Sequence, residues 1–160
     1  MKKIKSIILL LFVCLLSSCS NNQVQTIKYD MLNNYRYFVI SSYETYVEYQ
    51  ETLVDKKLDY ESLGFIDKYN QDFFNDNGLV ILNVEEIRSD YTLKYKSYEL
   101  VENSFTVNIS RKNSKGVANE AMQTWTFFIT IKNQVARYIN SIFTNINGEI
   151  KQIKNFEIFE

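Results

Sequence analysis

The side chains able to do chemistry in this sequence are carboxylates, hydroxyls, amides and amines, because none of its 160 residues is histidine. The usual general base and a common zinc ligand are therefore missing, and a Ser-His-Asp or Cys-His nucleophile is excluded. Acids group at Glu85-Glu86 and Asp90, with Asp67 and Asp72 earlier in the chain. Such a set suits glycoside hydrolysis, which needs two carboxyl groups about 5 to 9.5 Å apart. Glu85 and Glu86, however, are neighbours at the end of an expected strand. They then point to opposite faces and do not converge on one substrate, so solvated strand-edge charge is the plainer reading.

Asn75-Asp76-Asn77-Gly78 offers the clustered oxygens that calcium takes. Placing Gly78 at the sixth position of an EF-hand loop puts Phe73 first and Val84 twelfth, where an acid and a bidentate glutamate are required. The segment reads instead as a turn, and no metal or cofactor is implied. Trp125 and twelve tyrosines supply flat rings that could meet a sugar or a peptide. Trp125 shares an alternating face with Phe127, Ile129 and Ile131 and is expected to be buried. Tyr43, Tyr46 and Tyr49, on an expected helix, are the candidates for half-exposed contacts with a partner.

One sulfur carries a sharper signal. Lys2, Lys3 and Lys5 precede an apolar run from Ile7 to Leu16, which ends in Ser17, Ser18 and Cys19. Roughly 10 apolar residues are too few for the ~20-residue helix that crosses a bilayer, so the layout is that of a signal peptide. Leu16-Ser17-Ser18-Cys19 resembles the lipobox of bacterial lipoproteins. That resemblance implies a diacylglyceryl group on the Cys19 sulfur, recognition of Leu16, Ser17 and Ser18 by the signal peptidase, and Cys19 as the first mature residue. Cys14 leaves with the peptide.

Cleavage after residue 18 leaves 142 residues carrying 15 basic and 19 acidic side chains, a net charge of −4. The weak negative charge argues against nucleic acid as a partner. With Cys19 acylated there is no free thiol and no disulfide, so stability rests on packing. A chain this long buries about 68 to 70% of its unfolded surface, enough for one domain without cross-links. Seventeen Asn, seventeen Ile and fourteen Lys against four Arg look like AT-rich codon usage, which lowers the weight of any Asn or Lys cluster.

The elements that would position these groups follow from hydrophobic period and turn chemistry. Residues 19–25 read as a polar tether and 26–160 as a single α+β domain. Ile27, Tyr29 and Met31 alternate as in a strand, and Tyr35 to Ile40 form a second. Ser41 with Glu44 three residues later is a capping box, opening a helix from about Ser42 to Val54. A second helix is expected within Leu58 to Phe74. Leu79 to Leu82 is a continuous apolar strand, and Tyr91 to Tyr95 with Phe105 to Ile109 form a hairpin. Thr124 to Lys132 is a strand in which Trp125, Phe127, Ile129 and Ile131 alternate with threonines and Phe128. Val135 to Ile146 fits a helix or a strand equally, and Asn147-Gly148 is a hairpin turn returning the last strand. The expected architecture is an antiparallel sheet with two or three helices packed on one side.

The segments Phe38-Val39-Ile40-Ser41-Ser42-Tyr43-Glu44, Leu79-Val80-Ile81-Leu82, Phe105-Thr106-Val107 and Trp125-Thr126-Phe127-Phe128-Ile129 together resemble the PrcB-like domain. The resemblance runs from about Tyr35 to Lys132. Departures are Arg88-Ser89-Asp90, where such domains often carry glycine, and the absence of proline. That family includes accessory subunits of surface protease complexes and brings no catalytic residues. The missing catalytic side chains and the surplus of aromatic residues point to a non-enzymatic binding or accessory module, held at the extracytoplasmic face of the membrane through Cys19 and contacting an envelope or surface protein. The alternatives are a carboxylate-dependent hydrolase of extracellular or cell-wall glycans and a small-ligand binding protein.

Overall fold

The computed structural model describes residues 24–29, 37–54, 68–88, 90–113 and 123–154. The expected signal peptide with Leu16, Ser17 and Ser18, the expected lipidation site Cys19, Asp67 and most of the expected second helix lie outside these residues. The strands are β1 (Val24–Tyr29), β2 (Tyr37–Ile40), β3 (Asn77–Glu86), β4 (Tyr91–Val101), β5 (Ser104–Asn113), β6 (Gln123–Lys132), β7 (Ser141–Ile146) and β8 (Glu149–Ile153). The helices are α1 (Tyr43–Val54), α2 (Gln71–Asp76) and α3 (Asn133–Ala136).

The α+β class holds, but the strands divide between two sheets instead of one. One sheet has the order β1-β6-β3-β2 and the other β4-β5-β7-β8. The pairing is antiparallel except for β5 and β7, which run parallel from Ser104↔Ser141 to Ile109↔Ile146. The parallel pair arises because the chain leaves the second sheet after β5, crosses the first as β6 and returns through α3. A parallel neighbour needs such a long crossover.

Central strands β3 and β6 explain why the sequence there is apolar on both faces. Val80, Leu82 and Val84 of β3 and Phe127, Ile129 and Ile131 of β6 pack against Leu93, Phe105, Val107, Ile109 and Ile142 of the second sheet. The opposite face presents Leu79, Ile81 and Phe128 to Tyr46, Tyr49, Tyr69 and Phe74 of the helical layer. Three layers result: sheet, sheet, helices. Each fully buried side chain such as Phe127 contributes roughly 1.5 to 3 kcal/mol by leaving water.

The local boundaries are set by side-chain hydrogen bonds. Ser42, one residue later than the predicted cap, accepts the Thr45 N–H at 3.2 Å. Asn70 caps α2 by accepting the Phe73 N–H at 3.0 Å. Asn75 to Gly78 is not a turn: α2 passes directly into β3 there, and Asn77 Nδ2 donates to the Phe73 carbonyl at 3.0 Å. Residues 133–146 use both periods, a short helix followed by β7. The Asn147-Gly148 turn forms as predicted, with φ of 52° and 96°. Strand β1 begins at Val24, so the last two residues of the expected tether belong to the domain. They are recruited by pairing along β6, where Val24 lies opposite Ile129.

Candidate functional site

The charged residues gather where the two sheets part. β3 ends there in Glu85 and Glu86, β5 delivers Arg111, and the β7–β8 hairpin brings Glu149 and Lys151. Alternation decides what enters: Glu86 follows Val84 on the inner face, whereas Glu85 turns out to solvent. Glu149, Lys151 and Ile153 share the inner face of β8 at the strand period of two. Together with Val84, Ile87, Thr144 and Ile146 these groups line a cleft of about 270 Å³. Its floor is aliphatic and its rim ionic.

Every acid on the inner rim has a cation. Arg111 Nη1 lies 3.6 Å from Glu86 Oε2, and the Glu86 side chain is only 9% exposed. Lys151 Nζ lies 2.7 Å from Glu149 Oε1. The Lys151 hydrogen bond, with Arg111 nearby, holds the Glu149 carboxyl below its ordinary range. Beside the cleft, Arg88 grips Asp90 with two bonds, Nε to Oδ1 at 3.0 Å and Nη2 to Oδ2 at 2.8 Å. This bidentate pair pulls the Asp90 carboxyl down and the Arg88 guanidinium up. Both Arg88 and Arg111 lie 5.1 Å from the centre of the Tyr91 ring, so cation–π attraction joins the two ion pairs into one cluster.

Of the acids singled out from the sequence, Glu86 enters the cleft and Asp90 joins the cluster beside it. Glu85 lines the outer lip, and Asp72 is exposed on α2. The second acid lining the cleft is Glu149, which sequence inspection missed because it sits 63 positions from Glu86 and reaches the same cleft only through sheet packing. Arg88-Ser89-Asp90 was the available clue to the neighbouring cluster. Among the described residues, no group of three or more acids or cysteines is placed to hold a metal, and Asp76 is exposed on the helix-to-strand junction. No described helix is long and apolar enough to cross a membrane.

The tyrosine surface expected on α1 requires correction. Tyr46 and Tyr49 are 3% and 7% exposed, and Tyr43 is half-buried, 6.4 Å from the Phe74 ring. Their helical spacing does place them on one face, but β3 and β6 need that face as cover. Burial pushes the Tyr46 phenol up to about 12. Trp125 lies on the expected inner face, partly buried against the core. Tyr138 is the large exposed aromatic among the described residues, with Ile87, Leu100, Val101 and Ile150 the exposed aliphatic ones.

No family model, curated protein or solved structure matches this chain.

Proposed function

We propose that this chain is a lipid-anchored, extracytoplasmic binding module that engages an envelope or surface protein through the cleft between its sheets. The observation that carries the binding reading is the state of the rim. Glu86, Glu149 and Asp90 each face a cation, so the site offers matched charges for recognition. General acid catalysis needs a carboxyl that keeps its proton near neutrality, whereas Glu149 and Asp90 are both shifted the other way. The Leu16-Ser17-Ser18-Cys19 pattern supports the anchor, and the PrcB-like pattern of strands supports an accessory role.

The convergence of Glu86 and Glu149 on one cleft favours a second reading, a carboxylate-dependent glycan hydrolase. It predicts that Glu86→Gln and Glu149→Gln each abolish release of reducing sugar from cell-wall glycan. The binding reading predicts no such release from the unmodified protein. Its own test is a photocrosslinking amino acid at Ile87, on the lip of the cleft, in intact membranes, with the same group at Lys68 as control. Enrichment of a protein adduct at position 87 alone is expected. Equal capture at both positions counts against the cleft as the contact surface.

A further inference from the structure

We infer that the cleft takes its partner as an extended peptide, which adds to the open edge of β8 as a further antiparallel strand. This rests on the binding reading and specifies its mode. Among the described residues, β8 ends the order β4-β5-β7-β8. The ladder fixes which of its backbone groups are open. Asn147 N–H donates to the Ile109 carbonyl of β5 at 3.2 Å, so the odd residues of β7 turn toward β5 and the even ones toward β8. The hydrogen-bonded pairs of the hairpin are then Ile146↔Glu149, Thr144↔Lys151 and Ile142↔Ile153. The N–H and C=O groups of Ile150 and Gln152 point outward.

The other edges are less suited. β4 carries a bulge at Lys96, between Tyr95 and Ser97, and a bulge is an ordinary means of blunting an edge. β2 has only four residues, and β1 lies against β4. β8 is regular, and its inner side chains already line the cleft.

Charge gives the occupant its chemistry. A strand laid antiparallel beside β8 places one side chain opposite each of Ile153, Gln152, Lys151, Ile150 and Glu149 in turn. Opposite-charge and apolar cross-strand pairs are the favourable ones, so the partner segment reads apolar, any, acidic, apolar, basic. Its acid and base enter the cleft beside Lys151 and Glu149. Its second apolar residue, between the acid and the base, covers Ile150, which is 64% exposed.

The test uses the full lipidated chain in detergent and a fluorescent peptide, acetyl-Thr-Val-Thr-Glu-Val-Lys-Thr-amide. Saturable binding is expected, weakened about tenfold or more when Glu and Lys are exchanged in the peptide. N-methylation of the peptide amides facing β8 should abolish it. So should Gln152→Pro, which removes an outward N–H while leaving the β7 ladder its donors. Binding unaffected by both N-methylation and Gln152→Pro overturns strand addition, as does indifference to the charge exchange. If the Ile87 crosslinker still captures a protein in Gln152→Pro membranes, strand addition fails and the binding reading stands. If that crosslinker captures nothing in the unmodified chain and the peptide does not bind, both fail.

Discussion

A Cβ atom built on Gly78 would lie 2.6 Å from the Cβ of Ala136 and 3.1 Å from the Ile40 carbonyl oxygen. The glycine at the start of β3 is there for close approach, not for a turn. It lets α3 press onto the strand beside β2. Gly78→Ala is expected to cost about 1 to 3 kcal/mol, the usual range for overpacking. Urea unfolding of the single variant and of Gly78→Ala with Ala136→Gly checks this, since the double variant should recover much of the loss.

Asn133 ties three segments with one side chain. Its Nδ2 donates to the Ser41 carbonyl at 2.8 Å and the Phe74 carbonyl at 2.7 Å, while its Oδ1 accepts from Arg137 Nε at 3.1 Å. Asn133→Ala strands two partly buried carbonyls and should cost about 1 to 3 kcal/mol. Amide exchange should quicken at the start of α1 and the end of α2, and a global change with no local excess would contradict this.

The Tyr46 phenol, raised by burial to about 12, makes stability depend on alkaline pH. A raised folded pKa means that the unfolded chain gives up its proton first. The contribution is complete below about pH 10, the ordinary tyrosine value, and is lost as pH rises toward 12. Tyr46→Phe removes this linkage, so the fall in stability across that window should become shallower. Equal slopes for the two proteins would rule the linkage out.

At the acid end the Arg88–Asp90 pair works with the opposite sign. The depressed Asp90 carboxyl stabilises the fold above the ordinary aspartate pKa of about 4 and is lost as pH drops below it. Asp90→Asn should flatten the acid limb of a stability profile, while leaving the alkaline limb unchanged.

Cys19→Ala tests the anchor. Labelled palmitate should no longer enter the protein, and the chain should move to the soluble fraction. Continued labelling would place the lipid elsewhere.

Much of the fold was legible because alternation and turn chemistry are local. Trp125, Phe127, Ile129 and Ile131 share a face because strand geometry has a period of two, and Asn147-Gly148 turns because those residues tolerate positive φ. The cap of α1 was missed by one residue, since Ser41 and Ser42 are chemically equal and only the path of β2 chooses between them. Tyr46 and Tyr49 were misjudged for a similar reason. Their common face is a local property, but whether water or Phe128 meets it is not.

The sequence by itself determined the available chemistry, with no imidazole and only two cysteines, together with strands of known inner and outer sides and an α+β class. Tertiary structure decided the number of sheets, the parallel β5–β7 pair and the meeting of Glu86 with Arg111 and of Glu149 with Lys151 at one cleft. Hydrophobic period specifies which side of a strand avoids water, but many surfaces can provide the shelter. Only the packing of all layers selects one, and with it the charges left together at the seam.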